Sequence, residues 1–192
     1  MNYPTLILAS TSHYRAQLLE RLGLEFTVAN PGFDESPKPG EDPSSLAVRL
    51  AQGKAQAVAS DHPDAVVIGS DQVASLDGQV LGKPGTRERA MEMLRNSSGK
   101  TVDFYTALSV VSAGTFLGMV DHTTVRFRPL EEDEIERYVD QDQPLDCAGA
   151  FKCESLGISL FRHIHSRDPT ALVGLPLIQL AELLRRQGYP VP

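Results

Sequence analysis

The chain has 192 residues, 41% of them hydrophobic and 22% charged, which is enough to bury the core of one ordinary domain spanning residues 1–192. Eighteen Lys and Arg residues against 25 Asp and Glu residues give a net charge of −7, which argues against nucleic acid or an anionic membrane as the partner. The apolar stretches fall far short of the roughly 20 residues of a membrane span and no signal-peptide pattern occurs, so we expect a cytoplasmic protein.

Strands and helices alternate in the first third of the chain. Apolar runs predict strands at residues 5–10, 26–29 and 65–70, the last of them buried on both faces. Helices are predicted from a cap at Ser12 to a stop at Gly23, and from Pro43 to about residue 60. This order predicts an α/β sheet.

The middle of the chain has the pattern of antiparallel strands. Asp77-Gly78, between apolar residues 73–76 and 79–81, is a strong hairpin signal. The remaining predicted elements are strands at 102–111, 116–127 and 158–164 and helices at 87–96, 131–139 and 176–187. We therefore predict a mixed, twisted sheet with helices on both faces and two lobes around a cleft.

The first strand leads directly into a helix through Ser10-Thr11-Ser12-His13-Tyr14-Arg15. Free N–H groups at the start of a helix favour anions, and a guanidinium makes forked contacts with phosphate. The alternative is a serine helix cap with Arg15 on a solvated face and Tyr14 as a packed surface ring.

Asp71 follows the buried run of residues 65–70, so we expect it at the end of a strand. In α/β sheets the carboxyl ends of strands line the ligand crevice. A carboxylate there binds a metal ion or takes a proton from water. The alternative is a loop aspartate that caps a turn.

Two lysines and an acidic loop are further candidates. Lys54 interrupts the apolar face of the second helix, which indicates either a functional ammonium or a stem that reaches solvent. Lys83, in a Gly-Lys-Pro-Gly segment, is either rigidly presented or an ordinary loop lysine. Glu35, in a Pro-rich loop, adds a carboxylate that is often only solvated charge.

Other combinations of reactive residues carry less weight. Cys147 and Cys153 match no zinc spacing and are interpreted as reduced, partly buried thiols. His163 and His165 share one face of a strand, but no third metal ligand is evident. Because the glycine-rich dinucleotide motif, the Walker loop and the nucleophile elbow do not occur, the corresponding enzyme classes lose support.

Several motifs, in order along the chain, resemble the Maf family of nucleoside triphosphate pyrophosphatases from end to end. They are LILASTSHYRAQLL, FDESP, VRLAQGKA, VIGSDQV, GKP, LRNSSGKTVDFYTAL, PLDCAGAF and VGLPL. The resemblance implies a two-lobed α/β fold similar to that of the inosine triphosphatases, with a nucleotide cleft. It also implies hydrolysis between the α and β phosphates, a divalent cation (Mg or Mn) and a homodimer.

Tyr14, Gln72 and Glu154 distinguish this chain from the members that resemble dTTP/UTP pyrophosphatases, which have Arg, Thr and Gln there. The three residues are similar to those of the branch that hydrolyses 7-methyl-GTP. N7-methylation makes guanine cationic, which suits stacking on a tyrosine ring. The N–H donors of its Watson–Crick edge suit the acceptor-only carboxylate of Glu154.

The resemblance thus implies a set of roles for the candidate residues. Asp71 is the catalytic residue, and Glu35 and Asp71 are the metal ligands. Ser10, Arg15, Lys54 and Lys83 bind the phosphates, and Tyr14, Gln72 and Glu154 select the base. Hydrolysis of 7-methyl-GTP would remove a modified nucleotide from the pool, with an implied link to cell division arrest. Two alternatives remain open: a pyrophosphatase for UTP or dTTP, and a nucleotide-binding regulator of septum formation without turnover.

Overall fold

The computed structural model describes residues 3–192, in which five α-helices pack on a seven-stranded mixed sheet. The strands are β1 (Leu6–Ala9), β2 (Thr27–Ala29), β3 (Val66–Leu76), β4 (Gln79–Leu81), β5 (Thr101–Ser112), β6 (Thr115–Phe127) and β7 (Phe161–His165). The helices are α1 (His13–Glu20), α2 (Pro43–Asp61), α3 (Arg87–Ser97), α4 (Glu132–Asp142) and α5 (Leu177–Arg186). No helix within the described range is long and apolar enough to cross a membrane.

The sheet has the strand order β2-β1-β3-β5-β6-β7, with β4 paired to β3. β1 runs parallel to both β2 and β3, and every other pair is antiparallel. The predicted turn between β3 and β4 is present, with φ of 52° at Asp77 and 81° at Gly78. Positive φ at both central residues is typical of a tight two-residue hairpin turn, which Asp-Gly favours.

The cleft lies at a gap in this sheet. β5 fills one edge of β3 from Val66 to Ser75. On the opposite edge, β1 pairs with β3 only as far as Ile68, and β4 pairs with it only from Ala74 onwards. Residues 69–73 therefore have no partner strand on that side. The gap separates a lobe around β1 from a lobe around β4.

Two sequence predictions about strand ends were wrong. Asp71 does not end a strand, because β3 continues to Leu76 and pairs with β5 through the polar residues. Asp71 still borders the cleft, because its parallel neighbour β1 ends at Ala9. The last strand starts at Phe161 rather than at residue 158, because Leu156–Leu160 forms a 3-10 helix.

Helices cover both faces of the sheet, as predicted. Alternate residues of a strand point to opposite faces, so Leu8 and Ile68 pack with α1 and α5, and Val67 packs with α2 on the other side. In the second lobe α3 and α4 pack on a separate cluster that includes Phe104 and Phe127. The predicted α/β class with two lobes is confirmed.

Candidate active site

The turn from β1 to α1 forms one wall of the cleft. The Ser12 hydroxyl caps α1 by accepting a hydrogen bond from the backbone N–H of Arg15 at 3.4 Å. Ser10 is buried, and its hydroxyl accepts bonds from the Ser12 N–H at 3.1 Å and from Arg15 Nη1 at 3.5 Å. The predicted Ser12 cap is therefore present, and the same turn holds the Arg15 side chain beside Ser10.

The guanidinium of Arg15 is held by the backbone of a distant segment. Its Nε donates to the carbonyl of Gly174 at 2.9 Å. Burial lowers the pKa of Arg15, while the negative charges of Asp71 and Glu35 oppose that shift. A guanidinium stays protonated in proteins, so Arg15 brings a fixed positive charge to the cleft instead of lying on a solvated face.

Lys54 joins the two acidic candidates. Its Nζ lies 2.5 Å from Asp71 Oδ1 and 2.6 Å from Glu35 Oε1. Lys54 is only 4% exposed and Asp71 only 7%, so the lysine does not reach solvent. Burying a charge is costly unless it is paired, and two carboxylates pair this one.

Two glycines allow Lys54, Asp71 and Glu35 to come together, because neither position has room for a side chain. A Cβ at Gly69 of β3 would lie 2.8 Å from both the Cβ and the N of Ala55, so α2 packs directly against the strand that carries Asp71. A Cβ at Gly53 would lie 2.5 Å from Cε2 of Phe33, which seats the loop that carries Glu35 beside Lys54. Close backbone approach is a common reason for glycine at such positions.

Glu35 and Lys83 complete the charged part of the cleft. Partial burial raises the pKa of Glu35, but the ion pair with Lys54 and the charges of Lys83 and Arg15 outweigh it and lower that pKa overall. Lys83 is exposed, follows β4 and lines the same cleft as Lys54 and Asp71. The cleft has a volume of about 590 Å³.

A smaller pocket of about 130 Å³ adjoins the cleft and contains the predicted base-selecting residues. Tyr14, Gln72 and Glu154 all line it, although they come from α1, β3 and a loop after α4. Seven residues line both cavities: Ser12, Tyr14, Arg15, Gln72, Lys83, Asp146 and Ala148. The pocket and the cleft are therefore neighbouring parts of one site.

Tyr14 is a neutral aromatic wall of this pocket. Burial, the neighbouring Cys147 thiol and the charges of Asp146 and Glu154 raise its pKa to about 12. Its ring centroid lies 3.8 Å from that of His13. The face of a neutral aromatic ring attracts a cationic ligand rather than an anionic one.

Both cysteines line the same pocket and are free thiols, as predicted. Burial and the neighbouring carboxylates of Asp146 and Glu154 raise the pKa of Cys147 and of Cys153 to about 12. Because the thiolate is the reactive form, these cysteines are poor nucleophiles. Cys153 Sγ lies 3.5 Å from Glu154 Oε2 as a weak donor.

The residues that sequence reasoning missed come from the chain before α5. Leu172, Val173 and Gly174 line the small pocket, and so does Asp146. Their one sequence signal is their place in or next to the VGLPL and PLDCAGAF motifs, since backbone carbonyls carry no signature of their own. His163 and His165 lie away from both cavities, on β7.

The donor set suits a hard divalent cation with few protein ligands. No group of three or more His, Cys, Asp or Glu side chains within residues 3–192 is placed to hold a metal ion. Glu35 and Asp71 nevertheless converge on one ammonium group, which brings two carboxylate oxygens together beside the cleft. Mg²⁺ is typically bound by one or two carboxylates, with phosphate and water oxygens as its other ligands.

The fold and the site define an α/β protein with a two-part cleft. In one part lie cationic and carboxylate side chains, and the adjoining part is a pocket with an aromatic wall. Residues 5–187 match the family model described as Maf-like protein. The chain belongs to the Maf family.

Full-length relatives have the same name across several bacteria. The chain is 60% identical over 189 residues to the 7-methyl-GTP pyrophosphatase of Xanthomonas oryzae pv. oryzae, covering 98% of this chain and 100% of that protein. It is 54% identical over 194 residues to that of Aromatoleum aromaticum, with full coverage of both chains. A solved structure, that of the Staphylococcus aureus Ham1 protein, is similar at 17% identity, covering 64% of this chain and 71% of that one, with a TM-score of 0.46.

Proposed function

We propose that this protein hydrolyses 7-methyl-GTP to 7-methyl-GMP and diphosphate. The observation that carries the proposal is that the pocket of Tyr14, Gln72 and Glu154 shares a wall with the cleft of Lys54 and Asp71. A base-sized pocket beside a cationic cleft suits a nucleotide, with its base in the pocket and its negatively charged phosphates in the cleft. The names of the full-length relatives support the same substrate.

The phosphate chain occupies the larger cleft in this proposal. Arg15, Lys54 and Lys83 supply positive charge, and Ser10 supplies a hydroxyl at the same wall. Fixed charges aimed at the site where negative charge develops stabilise a phosphoryl-transfer transition state. Lys54 and Arg15 need little reorganisation, because their partners already fix them.

Asp71 is the proposed acceptor for a proton of the attacking water. In this hydrolysis the water oxygen forms a bond to the α-phosphorus and the bond from that phosphorus to the α–β bridging oxygen breaks. Diphosphate leaves, and one water proton moves to the Asp71 carboxylate. Asp71 is buried at the edge of the cleft, and the ion pair between its Oδ1 and Lys54 holds the carboxylate there. A positioned base of this kind contributes typically about 100- to 10,000-fold to a rate.

We propose that Glu35 and Asp71 hold a divalent cation, Mg²⁺ or Mn²⁺. Such a cation, when bound, offsets phosphate charge and polarises a phosphoryl oxygen. The side chain of Glu35 is 55% exposed, so it is able to turn from Lys54 towards a ligand in the cleft.

The base is proposed to be read by one ring and two polar groups. Tyr14 stacks on the cationic 7-methylguanine, and the carboxylate of Glu154 accepts from the N–H groups of the base. Gln72 uses its amide nitrogen to bond the carbonyls of Ala171 and Leu172, so its oxygen is the atom available for the base.

Diphosphate release from 7-methyl-GTP, GTP, UTP and dTTP, with and without Mg²⁺ or Mn²⁺, tests the function. We expect the highest kcat/KM for 7-methyl-GTP and no turnover after chelation. A preference for UTP or dTTP would assign the chain to the other pyrophosphatase class. Binding without release of diphosphate from any nucleotide would support the septum-regulator alternative.

We further propose a cytoplasmic homodimer that does not bind nucleic acid. The net charge of −7 supports the last point. Light scattering on the purified protein tests the dimer, and fractionation of cells tests the location.

A further inference from the structure

One segment, residues 166–176, forms a wall of the base pocket and also contacts Arg15, a residue that lines the phosphate cleft. The carbonyl of Gly174 accepts hydrogen bonds from Arg15 Nε and from Ser70 Oγ, each at 2.9 Å. Arg15 is one of the proposed phosphate-binding residues. The position of its guanidinium therefore depends on where this segment lies.

The same segment fixes a base-pocket residue. Gln72 Nε2 donates to the carbonyl of Ala171 at 2.9 Å and to that of Leu172 at 3.0 Å. Thr106 Oγ1 also donates to the Ala171 carbonyl, at 3.0 Å. The orientation of the Gln72 amide thus depends on the same backbone that holds Arg15.

A buried carboxylate, Asp168, ties this segment together. It is 1% exposed. Its Oδ1 accepts from the N–H of Thr170 at 2.9 Å and from the Thr170 hydroxyl at 2.6 Å, and its Oδ2 accepts from the N–H of Ile178 at 2.7 Å. Asp168 therefore joins both ends of the segment, since Ile178 belongs to the first turn of α5.

Hydrogen bonds replace a counter-ion at Asp168. Within residues 3–192 no Lys, Arg or His nitrogen lies within 4.0 Å of it. A buried carboxylate without a cation needs its hydrogen-bond donors, and here all three donors come from the segment and from α5. All three bonds are made together in this loop conformation.

The residues that support this segment from the sheet side are polar. Ser166 Oγ donates to the carbonyl of Asp168 at 2.7 Å and accepts from the hydroxyl of Thr123 at 2.8 Å. The same Thr123 hydroxyl also lies 3.1 Å from Oδ1 of Asp121, which is likewise 1% exposed. Polar residues of β6 and of the start of the segment therefore support the loop from beneath.

We infer that Asp168 is a positioning residue. By fixing the segment of residues 166–176 it holds the side chains of Gln72 and Arg15 in place, so that base selection and phosphate binding are coupled through one loop. That the selected base is 7-methylguanine rests on the proposed function. Asp168 itself lines neither cavity, so it acts through the carbonyls of Ala171, Leu172 and Gly174.

Asp168→Asn gives the first test. The amide turns one acceptor into a donor that faces an N–H or a hydroxyl, which loosens the loop. We expect the ratio of kcat/KM for 7-methyl-GTP over UTP to fall by about tenfold or more, since small misplacements of binding groups cost up to about 100-fold. We also expect weaker inhibition by inorganic tripolyphosphate, which reports on Arg15 without a base.

Thr170 variants test the loop if Asp168→Asn does not fold. Thr170→Val removes the hydroxyl that donates to Asp168, and Thr170→Ser restores it. We expect Val to lower selectivity and Ser to retain it. The matched control is Thr86→Val, which removes the hydroxyl that caps α3 at 3.3 Å from the Arg89 N–H; neither Thr86 nor any residue of α3 lines either cavity.

A purely structural Asp168 would give a different result. In that case Asp168→Asn and Thr170→Val would lower the melting temperature, as Thr86→Val does, and leave selectivity and tripolyphosphate inhibition unchanged. That outcome overturns the inference. Failure of the proposed function is a separate result, because the unmodified protein would then prefer another nucleotide, and the same variants would be compared on that nucleotide.

Discussion

Gly69 of β3 lies directly beneath Ala55 of α2, with room for a hydrogen atom but not for a methyl group. A Cβ at position 69 would lie 2.8 Å from the Cβ of Ala55. This contact sets the distance between the strand that carries Asp71 and the helix that carries Lys54. The geometry of the charged site is therefore a consequence of helix–strand packing.

The variant Gly69→Ala is expected to lose both stability and turnover. Overpacking a well-filled site costs typically about 1–3 kcal/mol, and moving α2 outward separates Lys54 from Asp71. Chemical denaturation and kcat measure the two effects. Gly82→Ala is the control for stability, because a Cβ there meets nothing within 4 Å. Unchanged stability and kcat in Gly69→Ala would show that α2 adapts freely.

Asp71→Asn is expected to abolish most turnover in a folded protein. The amide oxygen still accepts from Lys54, but it cannot take a proton from water, so kcat falls by at least about 100-fold. Circular dichroism checks the fold. Near-normal kcat would remove Asp71 from the catalytic role.

Lys54→Ala and Lys83→Ala are expected to lower turnover alike but stability differently. Removing Lys54 leaves Asp71 buried without its partner, which costs about 3–5 kcal/mol for a broken buried pair. Lys83 is exposed and forms no ion pair with a described residue, so its loss changes stability by less than about 0.5 kcal/mol. Steady-state kinetics and urea titration measure both. Normal kinetics in either variant would return that lysine to a structural or surface role.

Tyr14 and Glu154 are expected to control base selection separately. Tyr14→Ala should narrow the preference for 7-methyl-GTP over GTP, because a ring-to-cation contact contributes about 0.5–2 kcal/mol. Glu154→Gln should lower kcat/KM for both 7-methyl-GTP and GTP, because the amide NH₂ of the new side chain would face an N–H donor of the base. Tyr14→Phe keeps the ring and serves as the control. Unaltered selectivity in Tyr14→Ala would assign stacking to another residue.

Acid is expected to weaken the Glu35–Lys54 pair. The pKa of Glu35 in the fold lies below its ordinary value of 4.5. The unfolded chain therefore binds more protons in that range, and the stability from this group, present above about pH 4.5, is lost as the pH falls through the lowered pKa. Urea titrations down to about pH 3 should show a smaller pH slope for Glu35→Gln than for the unmodified protein. Glu88→Gln, on the exposed side of α3, is the control, and equal slopes in all three proteins would contradict the prediction.

Sequence patterns identified most elements of the fold because local chemistry decides them. The apolar run of β1, the Ser12 cap of α1, the Pro43 start of α2 and the Asp77-Gly78 turn all lie where their residues predict. The polar residues 70–72 suggested a strand end, but pairing with β5 carries β3 past them. Pairing between strands distant in sequence has no local signal, so this boundary was missed.

For the site, the sequence by itself determined which side chains bring charge and aromatic surface, and their motifs determined the family. Whether Lys54 reaches solvent or is buried between two carboxylates was decided only by the packing of α2 on Gly69. The roles of Gly174 and Asp168 likewise depended on the tertiary structure. The role of a backbone carbonyl or of a buried hydrogen bond depends on which group it contacts in the folded chain. The carbonyl of Gly174 contacts Arg15, which is 159 residues away in the sequence.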